Sequence, residues 1–257
     1  MGGLATPGYA AEARYTFGGA DPRAVQLYQR GWQEILTNGR WSESERLYRE
    51  ALLVDPGFTI AKAVLGRITL NGDERRELQR QIAEERPRVD EDGELILSVY
   101  VDTLRLFNAR EAGTKLPAGF RENMAKRAVE NYRRFLAKYP GEWSVLIEYI
   151  EWVHALRGPR AAIDAAQSMS DLHKEPPSFS YFLASFYAEL GEFEKAWALE
   201  RDFSSVLDAA VYPQVFYLRA LIWAAQGDKA AAKRAVQKAL ALDSRHLLAQ
   251  RLLAALS

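Results

Sequence analysis

Apolar residues recur at spacings of three and four along the chain from Asp21 onward, and almost no segment alternates apolar and polar residues as a half-buried strand would. This periodicity is typical of amphipathic helices that bury one face and expose the other. We therefore expect an all-α fold.

Glycines that could end a helix recur with a nearly regular period. They stand at Gly39, Gly72, Gly113, Gly158, Gly191 and Gly227, with successive spacings of 33, 41, 45, 33 and 36 residues. A period of this length indicates stacked helical repeats. The two longer spacings predict insertions, one in the acidic segment 87–93 and one in the turn 115–119, and both should lie on the surface.

A set of small, aromatic and turn-forming residues surrounds the second helix of the first repeat. The set consists of Gly39, Trp41, Ser44, Tyr48, Ala51, Leu52 and Pro56. It resembles the tetratricopeptide repeat, in which a small residue lets two antiparallel helices approach and aromatic rings fill the angle between them. In that family Gly takes the left-handed turn and Pro ends the second helix. Trp32 departs from the family, which has a small residue at this place, so we expect looser or displaced packing there.

The resemblance extends, with weaker matches, over the rest of the chain. The repeats that it implies are 24–57, 58–90, 93–140, 142–175, 178–212 and 213–245, followed by a capping helix at 246–257. The implied fold is a right-handed α-solenoid of about six antiparallel helix pairs. Residues 1–20 are rich in Gly and Ala and lack helical periodicity, so we expect a disordered N-terminal arm.

The charge balance and the lack of cysteine exclude several classes of function. Lys and Arg number 34, and Asp and Glu also number 34, so no net charge draws the chain to nucleic acid. The sequence has no Cys, which excludes disulfides and thiolate-bound zinc. Charged residues interrupt every apolar run well before the ~20 residues that span a bilayer, so we expect a soluble protein without membrane insertion. The composition leaves the compartment, exported or cytoplasmic, open.

Residues that could perform catalysis or bind a metal do not cluster in the sequence. The histidines, His154, His173 and His246, fall in separate repeats and have no partner at a spacing of four. No phosphate-binding glycine loop or nucleophile motif is present. We therefore expect a non-enzymatic protein that uses neither a metal nor another cofactor.

The family resemblance implies a binding surface for a protein or peptide partner. In a tetratricopeptide superhelix the first helix of each repeat lines the concave groove. The groove-facing positions carried over from the family are Gln26, Gln29, Gln33, Arg67, Glu148, Trp152, Tyr181, Ser185, Gln214 and Tyr217. The aromatic members Trp152, Tyr181 and Tyr217 would be rigid anchors for an extended peptide or a short helix. We expect a protein-binding scaffold or adaptor.

Other functions stay open on the sequence alone. The superhelix could close around a pocket between the second and fourth repeats, and a pocket with Arg67, Glu148 and aromatic walls would favour a sensor of a small molecule or regulatory ligand. The chain could also be a non-catalytic domain of a larger enzyme or regulator. The apolar C-terminal end could pair with a second copy in a homodimer. Its apolar residues are Leu247, Leu248, Leu252 and Leu253.

Overall fold

The computed structural model describes residues 14–169 and 177–256, and within these ranges it contains thirteen α-helices and no β-strand. The all-α prediction is therefore confirmed for the described part of the chain. None of the described helices combines the length and the apolar character that crossing a membrane requires. In chain order the helices are α1 (Pro22–Gln33), α2 (Trp41–Val54), α3 (Thr59–Ile68), α4 (Gly72–Glu85), α5 (Glu91–Glu111), α6 (Phe120–Lys138), α7 (Trp143–Arg157), α8 (Pro159–Met169), α9 (Ser178–Glu189), α10 (Phe193–Val206), α11 (Pro213–Ala225), α12 (Lys229–Leu242) and α13 (Leu247–Ala255).

Helix boundaries follow from short polar residues and from glycines. The side chains of Asp21, Asn71 and Asp228 accept hydrogen bonds from free backbone N–H groups at the starts of α1, α4 and α12. Left-handed backbone conformations occur at the predicted turn residues Gly39, Gly113, Gly158, Gly191 and Gly227. The prediction is wrong for Gly72, which begins α4 directly after its cap Asn71.

Consecutive helices pack against each other, both within the predicted pairs and between them, as α6 does on α7. These pairs are α1 with α2, α3 with α4, α5 with α6, α7 with α8, α9 with α10 and α11 with α12. Two helices fall in each of the predicted repeat ranges, except that α1 and α5 each begin two residues before their range. Helix α13 falls in the range of the predicted cap. Helices α3 and α5 also touch, as do α9 and α11, so two of the junctions between neighbouring pairs involve both first helices. At the other junctions α2 packs on α3, α6 on α7 and α8 on α9.

The third pair is long because its helices are long. Helix α5 has 21 residues and α6 has 19. The acidic part of the segment 87–93, predicted as a loop, is instead the start of α5. Asp90 caps this helix by accepting a hydrogen bond from the N–H of Gly93 at 2.6 Å, and Glu91 and Asp92 lie in the first turn, where the helix dipole favours negative charge. The turn 115–119 lies between α5 and α6 as predicted.

A π-helical turn at Glu34–Asn38 accommodates the unusual Trp32. Gly31, one residue earlier, lies against Tyr48, and a Cβ added at Gly31 would be 2.5 Å from the ring carbon Cε1 of Tyr48. The Ser44 hydroxyl donates to the Gly31 carbonyl at 2.9 Å. Gly31 is therefore the small residue at this helix crossing, and the wider π turn absorbs the shift of one residue. The packing is displaced rather than loose, because Trp32 is only 4% exposed.

Part of the predicted N-terminal arm is packed on the helices. Tyr15 and Phe17 are 5% and 6% exposed and belong to the aromatic core. The Tyr15 hydroxyl donates to a carboxylate oxygen of Asp90 at 2.7 Å. The prediction of a disordered arm does not hold for residues 14–20, because the burial of two aromatic rings offsets the entropy of ordering so short a segment. Residues 1–13 lie outside the described part of the chain.

The first and last helix pairs contact each other. The Asp243 carboxylate, which follows α12, accepts hydrogen bonds from the backbone N–H of Ser42 at 2.8 Å and from the Ser42 hydroxyl at 2.7 Å. Arg245 forms an ion pair with Glu45 beside these bonds. The first and last helix pairs of the described chain are therefore held together by hydrogen bonds and an ion pair.

Candidate functional site

An internal cavity of about 190 Å³ lies where the first, middle and last helix pairs approach each other. Its aromatic lining residues are Trp32, Trp41, Phe107, Tyr181 and Phe182, and aliphatic side chains fill the space between them. Its polar lining residues are Arg67, Thr103, Glu148, Glu151, Gln214 and Arg251. A mostly apolar cavity with a few polar groups is the usual form of a small-ligand site.

A buried ion pair stands on one wall of the cavity. Nη2 of Arg67 on α3 lies 2.6 Å from Oε1 of Glu148 on α7, and the Tyr132 hydroxyl donates to Oε2 of Glu148 at 2.7 Å. Glu148 is 2% exposed, so a carboxylate removed from solvent has a partner on each oxygen. The guanidinium of Arg67 also lies 4.5 Å from the centroid of the Tyr100 ring and 5.7 Å from that of Trp32, within reach of cation–π attraction.

Arg67 keeps its charge but does not use all of its hydrogen-bond donors. Burial disfavours the charged guanidinium, but the negative charge of Glu148 outweighs this effect, so the pKa of Arg67 is raised. Its Nη1 is buried and has no hydrogen-bond partner within the described ranges. A buried donor without a partner costs about 1–3 kcal/mol. The wall of the cavity therefore carries a donor that is not satisfied by the protein.

A carboxyl group and a guanidinium group line the cavity without pairing with each other. Glu151 lies one helical turn after Glu148 on α7, and Arg251 lies on α13. Neither side chain forms an ion pair or a hydrogen bond with the described part of the chain. The Glu151 side chain is exposed, yet the protein atoms around it limit the hydration of its carboxylate. This desolvation and the charge of Glu148 raise the pKa of Glu151 to about 8, and Arg67 offsets part of the shift, so the carboxyl group holds a proton at pH 7.

A buried histidine holds the last helix against the rest of the cavity wall. His246 caps α13, because its Nδ1 accepts a hydrogen bond from the N–H of Ala249 at 3.2 Å. Its Nε2 therefore carries the proton and donates to Oε1 of Gln214 at 3.1 Å. The imidazole also lies 5.7 Å from the Trp41 ring. Burial lowers the pKa of His246 to about 4, so the ring is neutral at pH 7.

Five of the ten residues predicted to face a groove lie at or beside this cavity. Its lining includes Arg67, Glu148, Tyr181 and Gln214. Tyr217 lies behind the wall, with its ring 6.4 Å from that of Tyr181 and 4.7 Å from that of His246. Tyr181 and Tyr217 are 4% and 6% exposed, so these two predicted anchors are buried in the protein itself.

The other five predicted groove residues do not line the cavity. Gln26 and Gln33 are exposed, and Gln29 and Trp152 are half-buried. The Ser185 hydroxyl donates to the carbonyl of residue 182, one turn earlier on α9, at 2.7 Å. The structure thus brings the charged members of the predicted set together and leaves the glutamines of α1 apart from them.

Prediction from sequence misses most of the cavity lining, including two ionisable residues and two tryptophans. Glu151 follows Glu148 by three positions, and this spacing places both residues on one face of a helix. The sequence therefore indicates that Glu151 lies on the same side of α7 as the predicted groove residue Glu148. The resemblance to tetratricopeptide repeats predicts that Trp32 and Trp41 contribute only to packing within the first repeat. Arg251 has no local signal, because its place on the wall depends on the contact between the last helix and the first pair.

The apolar C-terminal run contributes to the interior. Leu247 and Leu248 line the cavity, and Leu252 and Leu253 are half-buried against the core. Much of the apolar surface that predicts a homodimer is therefore used within one chain. A homodimer through this end stays a prediction.

Neither a metal-binding arrangement of side chains nor a known relative points to a function for this chain. No group of three or more His, Asp or Glu side chains within residues 14–169 and 177–256 is arranged to hold a metal ion. No protein-family model matches the sequence, and no curated protein matches it significantly.

Proposed function

We propose that this chain is a non-enzymatic binding protein that holds a small amphipathic molecule in the cavity between its helix pairs. The observation that carries this proposal is the combination of aromatic walls with charged side chains at one internal site. Apolar walls supply the energy of burial, and a few polar groups fix the orientation of the ligand. The role would be that of a sensor or a carrier.

The size of the cavity limits what can be buried in it. Its volume is about 190 Å³. A dry apolar cavity of about 150 Å³ in another protein binds benzene. The cavity therefore suits a ligand whose apolar part is about one ring or one branched aliphatic group.

We also propose that the helix pairs form the right-handed superhelix implied by the resemblance to tetratricopeptide repeats, closed into a ring. The contacts of α3 with α5 and of α9 with α11 support a continuous stack of pairs. The hydrogen bonds between Ser42 and Asp243 support the closure. Closure would convert the open groove of such a superhelix into the observed cavity.

A protein-binding scaffold, the function that the sequence predicts first, remains a second proposal. The half-buried Trp152 is accessible to a partner, whereas Tyr181 and Tyr217 are buried. A peptide that used all three residues would require the first and last pairs to separate. The small cavity between contacting helix pairs therefore favours a small ligand over an extended peptide.

Indole binding tests the proposed function, because indole has an apolar ring system and carries no charge. We expect indole to bind the protein in ligand-observed NMR, with saturation transferred from the protein to its ring protons. The variant Leu248→Trp should lose this transfer, since a larger side chain on α13 fills the cavity. Leu53→Trp is the matched control, because Leu53 is 82% exposed and lies outside the lining.

The outcomes separate specific binding from surface adsorption. Indole binding to the parent and to Leu53→Trp, with loss in Leu248→Trp, supports the cavity as the site. Equal transfer in all three proteins, or none in the parent, contradicts the proposal. Circular dichroism of each variant checks that its helices are intact.

A further inference from the structure

The ionisable groups without an ion-pair partner lie on two different helices of the cavity, α7 and α13. On the α7 side, Glu148 is balanced by its ion pair with Arg67, so Glu151 adds a carboxyl group that has no ion-pair partner and that a cation beside it would ionise. On the α13 side, Arg251 adds a guanidinium without a partner in the described ranges. The cavity thus has an acidic wall and a basic wall.

Both unpaired charges act on the same part of the molecule. Burial raises the pKa of Tyr217, the charge of Glu151 raises it further, and the charge of Arg251 lowers it. Both groups also line the same cavity, and no ion pair joins them within the described ranges. A space between two such groups can hold a ligand that contacts both.

The sign of the two charges restricts the ligand. A purely anionic ligand would leave Glu151 without a partner, and a cationic one would leave Arg251 without a partner. Charges in a cavity with apolar walls interact more strongly than charges in water, so an unmatched group lowers affinity. A ligand with an ammonium group and a carboxylate satisfies both walls at once.

The apolar walls restrict the rest of the ligand. Trp32, Trp41 and Phe182 offer aromatic surface beside the charged groups, in a volume that suits about one ring or one branched aliphatic group. An α-amino acid joins an ammonium, a carboxylate and one side chain at a single carbon. Its three groups correspond to the acidic wall, the basic wall and the aromatic part of the cavity.

We infer that the ligand is a free α-amino acid with an apolar side chain, whose ammonium group binds Glu151 and whose carboxylate binds Arg251. This inference rests on the proposed ligand-binding function and specifies its ligand class. The ammonium group donates hydrogen bonds to the Glu151 carboxylate, and the guanidinium of Arg251 donates to the ligand carboxylate. The side chain lies against the aromatic walls.

Calorimetric titration of the full chain tests the inference with defined probes. The amino acids are L-phenylalanine, L-tryptophan and L-leucine. For the amino acid that binds best, the amide lacks the carboxylate and the N-acetyl form lacks the ammonium group. We expect the free amino acid to bind at least about tenfold more tightly than either analogue, because a charge-assisted hydrogen bond is lost in each.

Two variants test which residue binds the ammonium group of the ligand and which binds its carboxylate. In Glu151→Gln the free amino acid should bind no better than its N-acetyl form, because the partner of the ammonium group is gone. In Arg251→Gln it should bind no better than its amide. Glu194→Gln and Arg201→Gln are matched controls, because both residues are exposed on α10 and neither lines the cavity. Both controls should keep the parent affinities.

Each remaining outcome overturns the inference. If indole binds in the cavity but none of the three amino acids binds more tightly than its analogues, the ligand class is wrong and the proposed function stands. If the amino acids bind but neither Glu151→Gln nor Arg251→Gln changes the preference, the assigned residues are wrong. If indole and all three amino acids fail to bind, both the inference and the proposed function are wrong.

Discussion

The carboxylate of Asp243 accepts two hydrogen bonds from Ser42, a residue 201 positions away in the chain. Asp243 is 6% exposed, so these bonds are shielded from water. The same carboxylate also accepts a bond from the backbone N–H of Arg245 at 2.9 Å, which orders the segment between α12 and α13. One side chain thus connects the first helix pair, the last helix pair and the helix that lines the cavity.

Removal of this carboxylate should loosen the contact between the two ends. We expect Asp243→Ala to lower the free energy of unfolding by about 1–3 kcal/mol, because buried N–H and hydroxyl groups lose their acceptor. Hydrogen exchange should become faster at the start of α2 and in α13. Asp208→Ala is the control, because Asp208 is exposed and bonds only within its own turn. Unchanged exchange at the start of α2 in Asp243→Ala would contradict this role.

Two glycines with the same backbone conformation should differ in their tolerance of alanine. Gly39 and Gly191 have φ values of 73° and 76°, so alanine strains both by about 1–2 kcal/mol. A Cβ at Gly39 would also lie 2.7 Å from the backbone nitrogen of Gln214, whereas at Gly191 nothing lies within 4 Å. Gly39→Ala should therefore cost about 1–3 kcal/mol more than Gly191→Ala in urea unfolding. Equal losses would mean that the contact with Gln214 contributes nothing.

The helices could be predicted from sequence because their signals are local. Apolar spacing fixes the helical faces, and turn glycines such as Gly158 mark helix ends. The error at Gly72 arises because Asn71 supplies an N-cap, so the glycine begins a helix instead of ending one. The displaced crossing at Gly31 depends on a π turn, which the periodic pattern does not encode.

The candidate site could be predicted only in part, because some of its residues meet through contacts between distant segments of the chain. Arg67 and Glu148 both lie on first helices of their repeats, which the resemblance to tetratricopeptide repeats places along one groove. Arg251 and Gln214 reach the cavity only because the last pair meets the first, and that contact joins segments about 200 residues apart. No local pattern specifies whether a stack of helix pairs stays open or closes.

The ion pair of Arg67 with Glu148 should contribute to stability as a unit. Arg67→Met would leave Glu148 with only its bond from Tyr132, and breaking a buried pair costs about 3–5 kcal/mol. We expect a value near the lower limit, because the Arg67 side chain is 20% exposed. The double variant Arg67→Met, Glu148→Leu should recover part of the loss, since no unpaired charge remains buried. A double-mutant cycle from urea unfolding measures the coupling, and additive losses would contradict it.

Protonation of His246 should destabilise the protein in mild acid. Burial lowers its pKa from 6.5 to about 4, so between these values the unfolded chain binds a proton that the folded chain does not. The contribution of neutral His246 to the free energy of unfolding is therefore fully present above pH 6.5 and is lost as the pH falls towards 4. The expected loss is about 2 kcal/mol between pH 7 and pH 5. His246→Asn should flatten this dependence, because Asn can cap α13 and has no proton to gain.

The pH dependence of His246→Asn and that of the protein with His246 are best compared when both carry Glu151→Gln. The raised pKa of Glu151 acts with the opposite sign, because the folded chain then holds the extra proton above pH 4.5 and stability falls as the pH rises. With that group removed, urea unfolding at pH 7 and pH 5 isolates the histidine. The groups packed around the imidazole are Trp41, Gln214, Tyr217 and Asp243, and only the carboxylate is charged. Equal slopes with His246 and with Asn at that position would mean that the imidazole binds its proton equally well in the folded and unfolded chain.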